Sequence, residues 1–174
     1  MLGIYIHFPY CVHKCFYCDF YSLEDFSTID LFADSLIKEI EIATQYFFRT
    51  TQNIDTIYFG GGTPSLINPM QLEKIFNQIA KFYNISDNAE ITLEANPGTI
   101  DQKYLRDFKS IGVNRLSIGM QSFIDEELKF LQRIHTAKEA IDTFNLARSI
   151  GFDNISIDIM YNLPSQTIDS MIFN

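Results

Sequence analysis

The chain of 174 residues has no tryptophan and only three cysteines, Cys11, Cys15 and Cys18. An odd number of thiols packed into one short stretch cannot all close into disulfides within the chain. Basic residues are also few: 13 Lys and Arg stand against 22 Asp and Glu, for a net charge of −9. That balance argues against a nucleic-acid surface, which needs clustered cations against phosphates. No apolar run is long enough to cross a bilayer. The N-terminus lacks a basic stretch followed by an apolar one, so no secretory signal is expected. Free thiols without such a signal point to a reducing, cytoplasmic compartment. The 16 Phe and 9 Tyr carry no functional reading of their own. With 47% hydrophobic and 20% charged residues, the composition is that of an ordinary globular chain, long enough for one domain with a sizeable core.

What is present is the spacing of those cysteines, C-x3-C-x2-C. Three thiolates so close together can hold three corners of an iron–sulfur cube and leave the fourth iron free to bind something small. The competing reading is structural zinc, which prefers four ligands and usually draws them from two separated knuckles. A second knuckle is missing, but His7 or His13 would supply a fourth ligand, so the spacing alone leaves zinc open. Three buried structural thiols fit less well, because His13, Lys14 and Asp19 around them are polar and turn-like.

Beyond the cysteines, apolar runs alternate with amphipathic segments of helix length. The runs Leu2–His7, Ile54–Phe59, Glu90–Glu94, Arg115–Ile118 and Asn154–Ile159 read as strands. Phe32, Leu36, Ile40 and Ala43 form one helical stripe; Leu72, Ile75, Ile79 and Phe82 form another. Such alternation predicts an α/β protein with a parallel sheet, showing about five strand–helix units. Asn68 before Pro69 reads as a helix N-cap. Thr99 with Gln102 reads as a capping box. Gly112 and Gly151 read as left-handed helix stops. The stretch 110–119 resembles 149–158, as repeated barrel units would. A flavodoxin-like open sheet would give the same periodicity.

Polar groups collect where the strands end. Gly60, Gly61 and Gly62 precede Thr63 and allow close approach to the backbone, or make a simple turn. Glu94 ends an apolar strand, where an acid needs a cation, a hydroxyl or solvent. Gln121 and Ser122 follow the fourth strand and Asp158 ends the fifth. Arg133, among apolar neighbours, suits a bidentate carboxylate or a surface ion pair. Met120 and Met160 read as core filler and His135 as structural. The set fits a small zwitterionic, hydroxyl-rich cofactor beside a metal cluster.

Tyr5-Ile-His-Phe-Pro-Tyr-Cys11, the continuation through Phe20, and Tyr58-Phe-Gly-Gly-Gly-Thr-Pro64 resemble the radical S-adenosylmethionine superfamily. More narrowly, they resemble the family of oxygen-independent coproporphyrinogen III oxidase and its paralogue, the heme chaperone HemW. Glu94–Pro97, Arg115–Phe123, Leu131–Ala137 and Ser156–Pro164 extend the likeness over essentially the whole chain. The resemblance implies a partial (β/α)6 barrel of the TIM type. It implies a 4Fe–4S cluster on Cys11, Cys15 and Cys18. It also implies S-adenosyl-L-methionine contacts at Tyr5, Tyr17, Gly61, Gly62, Thr63, Glu94, Gln121, Arg133 and Asp158. In the oxidase, the reduced cluster cleaves the cofactor to a 5′-deoxyadenosyl radical that takes hydrogen from a propionate side chain.

The oxidase branch carries a further cysteine two residues after the third. Here that position is Phe20, preceded by Asp19, which resembles the HemW branch. The resemblance therefore implies heme binding and delivery ahead of coproporphyrinogen decarboxylation. Implied partners are heme or a porphyrin, an electron donor such as flavodoxin or ferredoxin, and a heme-acceptor protein. Residues 1–174 would form the radical S-adenosylmethionine core domain, incomplete and without the C-terminal domain of the family. Near the fifth strand the family usually reads Tyr-Gly-Leu-Pro-Gly-Gln, whereas this chain has Asn162 and Ser165 in place of the two glycines. If those positions take positive φ, each replacement costs about 1 kcal/mol, less for Asn.

Overall fold

The computed structural model describes residues 2–46 and 53–174. Five strands, β1 (Leu2–Phe8), β2 (Ile54–Gly61), β3 (Ile85–Ala95), β4 (Arg115–Gln121) and β5 (Asn154–Ile159), form one sheet. All neighbours are parallel, and the order across the sheet is β1-β2-β3-β4-β5. This order decides between the two architectures that periodicity left open. A flavodoxin-like sheet reverses direction at a switch point. Here each strand is simply added beside the last, as in a (β/α) barrel.

Helices α1 (Ile29–Tyr46), α2 (Pro69–Phe82), α3 (Gln102–Ile111) and α5 (Ala137–Ile150) follow successive strands, each packing on the one before. The short helices α4 (Asp125–Phe130) and α6 (Ile168–Phe173) follow the tips of β4 and β5. Strand side chains alternate faces. One face sends Phe8, Ile57, Phe59, Leu93, Leu116 and Ile118 into the core, where they meet Leu72, Ile75, Ile79, Leu105 and Phe108 from the helices. The other face carries Tyr58, Thr92, Glu94, Arg115, Ser117 and Gly119. It is polar, unlike the packed interior of a closed barrel.

Local signals explain most helix ends. Asn68 accepts from the Met70 N–H at the start of α2, with Pro69 at the first helical position. Gly112 and Gly151 end α3 and α5 in left-handed conformation, φ 119° and 98°. The expected capping box of Thr99 and Gln102 does not form. Asp101, nearer the helix, caps α3 by accepting from the Tyr104 N–H at 2.8 Å, while the Thr99 hydroxyl turns back to the Asn96 carbonyl at 2.6 Å. Helix α5 has a capping box in Thr136 and Glu139 that the sequence reading did not single out. Asn162 and Ser165 do adopt positive φ, at 62° and 68°. Among the described residues, no helix is long and apolar enough to cross a membrane.

Candidate functional site

The three cysteines lie on the loop that leaves β1. Its stem is pinned by a bridge between Tyr10 and Leu23, with Cys11 N–H donating to the Leu23 carbonyl at 3.0 Å. A turn from Cys15 to Cys18 closes its tip, with Cys18 N–H on the Cys15 carbonyl at 3.0 Å. The tip of β2 presses against this loop: Gly62 N–H donates to Phe8 and Thr63 N–H to Tyr10, both at 2.7 Å. A Cβ on Gly62 would stand 2.6 Å from the Tyr10 carbonyl and 3.0 Å from Cys11 Sγ. Only glycine permits that approach.

The strand tips and the cysteine loop enclose a cavity of about 180 Å³. Its wall brings together all three cysteines with Tyr17, Gly62, Thr63, Glu94, Gln121, Arg133 and Asp158. Two of the expected residues lie outside it. Tyr5 is on the same strand face, but its ring stacks on Tyr58 and its hydroxyl meets His7 Nδ1 at 3.0 Å. Gly61, at φ 112°, backs the site by donating its N–H to Glu94 Oε2 at 3.1 Å.

Arg133 arrives from the loop between α4 and α5, beside Gln132 at φ 55°. It forms no ion pair among the described residues, contrary to the surface salt-bridge alternative. Its Nη2 donates to Asn96 Oδ1 at 2.6 Å and to the Gly119 carbonyl at 2.7 Å. Its Nη1 reaches the Tyr17 hydroxyl at 3.4 Å and Cys15 Sγ at 3.8 Å. Its Nε is buried without a partner. Asn96 and Tyr58, which sequence reasoning did not assign to the site, hold its polar groups in place. Tyr58 donates to Glu94 Oε1 at 2.7 Å. Their position in the two strand-tip motifs was the available signal.

The electrostatics suit a zwitterionic guest. Burial raises Glu94 above the ordinary carboxylate range, against the pull of Tyr58 and the Gly61 N–H. Asp158 is likewise raised by lost solvation, against Arg115 and Arg133. Burial pushes the Cys11 thiol up, and the Tyr17 phenol too. The site therefore pairs two undercompensated carboxyls with a guanidinium that keeps one N–H unspent.

All three thiols are free, and Cys11 and Cys15 are buried. Among the described residues, no three His, Cys, Asp or Glu side chains converge tightly enough to grip a single ion. A closed zinc site would need such convergence. His7 is also engaged at both ring nitrogens, by Tyr5 and by the Tyr21 carbonyl at 3.0 Å, and His13 Nδ1 stands 3.3 Å from Glu24. Thiols spread along a cavity wall, with a close glycine backbone and an unspent guanidinium N–H beside them, fit a larger cluster and a zwitterionic cofactor. His135 is structural: its Nε2 meets the Met120 carbonyl at 3.1 Å in the interior.

The chain resembles known proteins over nearly its whole length. The chain is 39% identical over 175 residues to the heme chaperone HemW of Haemophilus influenzae, covering 98% of this chain and 46% of that protein. It is 37% identical over 173 residues to HemW of Escherichia coli, covering 98% of this chain and 45% of that protein. The chain thus spans about half the length of these curated relatives. Coproporphyrinogen III oxidase (HemN) from Escherichia coli, described as a radical SAM enzyme, superposes with a TM-score of 0.89 at 30% identity, over 99% of this chain and 40% of its own. An archaeal Elp3 structure shares the fold at a TM-score of 0.61 and 16% identity. The model of the Radical SAM superfamily matches residues 5–172, and the chain belongs to that superfamily.

Proposed function

We propose that this chain binds a 4Fe–4S cluster and S-adenosyl-L-methionine and acts in heme metabolism as a HemW-like heme chaperone. The observation that carries the reading is one cavity shared by three free cysteines, two raised carboxyls and Arg133. Cys11, Cys15 and Cys18 would hold the cluster, which when bound supplies single-electron chemistry and an open iron.

The chain's own residues would do the rest. Arg133 would take the carboxylate of the amino-acid moiety through its unspent N–H. Glu94, with Gln121 and Asp158, would receive the amino group and the nucleoside hydroxyls. A cation arriving beside Glu94 offsets the burial that raises its pKa, so binding draws the carboxyl into its ionised form. Gly62 and Thr63 would line the backbone side, and Tyr17 would screen the thiols from water.

The assignment to heme delivery rests on Asp19-Phe20 after the third cysteine and on the HemW relatives. In this reading the partners are heme, a flavodoxin or ferredoxin as electron donor, and a heme-acceptor protein, all in the cytoplasm. The oxidase reading has its own support in the superposition on HemN. Anaerobic reconstitution followed by titration with S-adenosyl-L-methionine and with heme tests the proposal. A four-iron cluster with stoichiometric heme binding supports the chaperone. Coproporphyrinogen turnover without heme binding supports the oxidase. Zinc without iron would sink both.

A further inference from the structure

Asn96 lies between the two buried thiols and touches neither. Its Oδ1 accepts from Arg133 Nη2 at 2.6 Å, and its Nδ2 donates to Thr63 Oγ1 at 3.0 Å. Thr63 Oγ1 in turn reaches Cys11 Sγ at 3.6 Å, and Arg133 Nη1 reaches Cys15 Sγ at 3.8 Å. Cys11, Thr63, Asn96, Arg133 and Cys15 are thus one hydrogen-bonded chain, drawn from the cysteine loop, the tips of β2 and β3, and the α4–α5 loop.

Its direction follows from the donor inventory. A guanidinium only donates, so the Asn96 amide must turn its oxygen to Arg133 and its NH2 to Thr63. Thr63 Oγ1 then accepts from Asn96, which leaves its single hydrogen for the sulfur. Thr63 is 2% exposed, so solvent offers that hydrogen little competition. The room for this arrangement comes from Gly119, where a Cβ would stand 2.7 Å from Asn96 Oδ1.

We propose that Asn96 is a positioning residue that aims the Thr63 hydroxyl at Cys11 and anchors Arg133 against Cys15, and so sets the reduction potential of the cluster these thiolates hold. The inference rests on the four-iron reading above. Hydrogen bonds to cluster sulfurs stabilise the more negative, reduced state and raise its potential.

Asn96→Asp is the decisive change, because it keeps the shape and abolishes the donor. A carboxylate can only accept, so it claims the Thr63 hydrogen and takes it from the sulfur. The added charge would also lower the potential through space, so a second background is needed. Midpoint potentials of the reconstituted chain would be measured by redox titration with electron paramagnetic resonance for the native chain, N96D, T63V and N96D/T63V. N96D should lower the reduced-to-oxidised ratio at a fixed poise about tenfold, which is about 59 mV for one electron. Its effect in the T63V background should be at most half as large. Thr63→Ser, which keeps the hydroxyl, should hold the native potential.

Equal N96D effects in both backgrounds, no effect, or a Ser variant that behaves like Val would each overturn the relay. If the native chain assembles no four-iron cluster, the functional reading fails, and the relay is then decided in the metal-free chain. There the Asn96 side-chain amide resonances should move in T63V and stay in T63S. An identical response to both variants would overturn it.

Discussion

Cys15 Sγ lies 3.8 Å from a guanidinium nitrogen of Arg133, 118 residues further along the chain. The cysteine loop is therefore closed by a residue from the far side of the sheet, and the two halves of the site depend on each other unequally. The thiols would carry the cluster; Arg133 would orient what binds beside it. Cys11→Ala, Cys15→Ala and Cys18→Ala should each abolish four-iron assembly, with iron and sulfide content as the measurement. Full cluster content in any one of them would remove that residue from the ligand set.

Glu94→Ala and Arg133→Ala should leave iron content intact and weaken S-adenosyl-L-methionine binding. Hydrogen bonds to charged groups contribute about 1.5–3 kcal/mol, so the expected loss is roughly 10–100-fold by calorimetric titration. Unchanged affinity in both variants would return these residues to a structural role.

His135 gives the fold a dependence on acid. Burial, helped by Arg133, lowers it to about 4. The unfolded chain takes up this proton near pH 6.5 and the folded chain only near 4, so stability is present above that window and lost as pH falls through it. At about 1.36 kcal/mol per unit, the loss approaches about 3 kcal/mol by pH 4. Denaturant melts from pH 7 to 4 should show a steep decline in the native chain and a flatter one in His135→Gln. Parallel curves would show that this imidazole is not the group responsible.

The left-handed residues after β5 should be improvable. Ser165→Gly relieves a side chain at φ 68° and should gain up to about 1 kcal/mol, with less for Asn162→Gly at φ 62°. For a chain of this size that corresponds to about 2–4 °C in melting temperature. A lower melting temperature for Ser165→Gly would mean that the serine side chain contributes something the strain conceals.

Helix α6 buries none of its residues: Ile168 and Ile172 are each 74% exposed and Phe173 is 69% exposed. Ile157 on the neighbouring strand is exposed as well. Apolar side chains exposed on α6 in this way favour association. Size-exclusion chromatography should show concentration-dependent oligomers, reduced by Ile172→Lys with Phe173→Lys. A monodisperse native monomer at all concentrations would refute this.

The strands were legible because apolar alternation and length survive without tertiary context. All five were found, with β5 bounded at the observed residues, while β3 begins five residues earlier than its apolar core suggested. Asn68 was readable because its capping partner is two residues away. Thr99 misled because its hydroxyl prefers the Asn96 carbonyl, a contact that local spacing does not rank above a cap. Helix α4 escaped notice because six residues give too little periodicity to detect. Asn96 escaped as a site residue because its partners lie 33 and 37 positions away, and only the sheet brings them together. Tyr5, which the motif places in the site, lies just outside the cavity wall, with its ring on Tyr58 and its hydroxyl at His7 Nδ1.

Strand order equal to chain order has a consequence for synthesis. A growing polypeptide can add each unit to an existing edge as it leaves the ribosome. Cys11, Gly62 and Glu94 are then in place before Arg133 exists. About 115 residues separate Cys18 from Arg133, on the order of ten seconds of elongation. A chain that folds in this order would lack the Arg133 contact to Cys15 throughout that interval, and would offer its cysteines to iron, or to oxidants, before the residue that closes over them has been made.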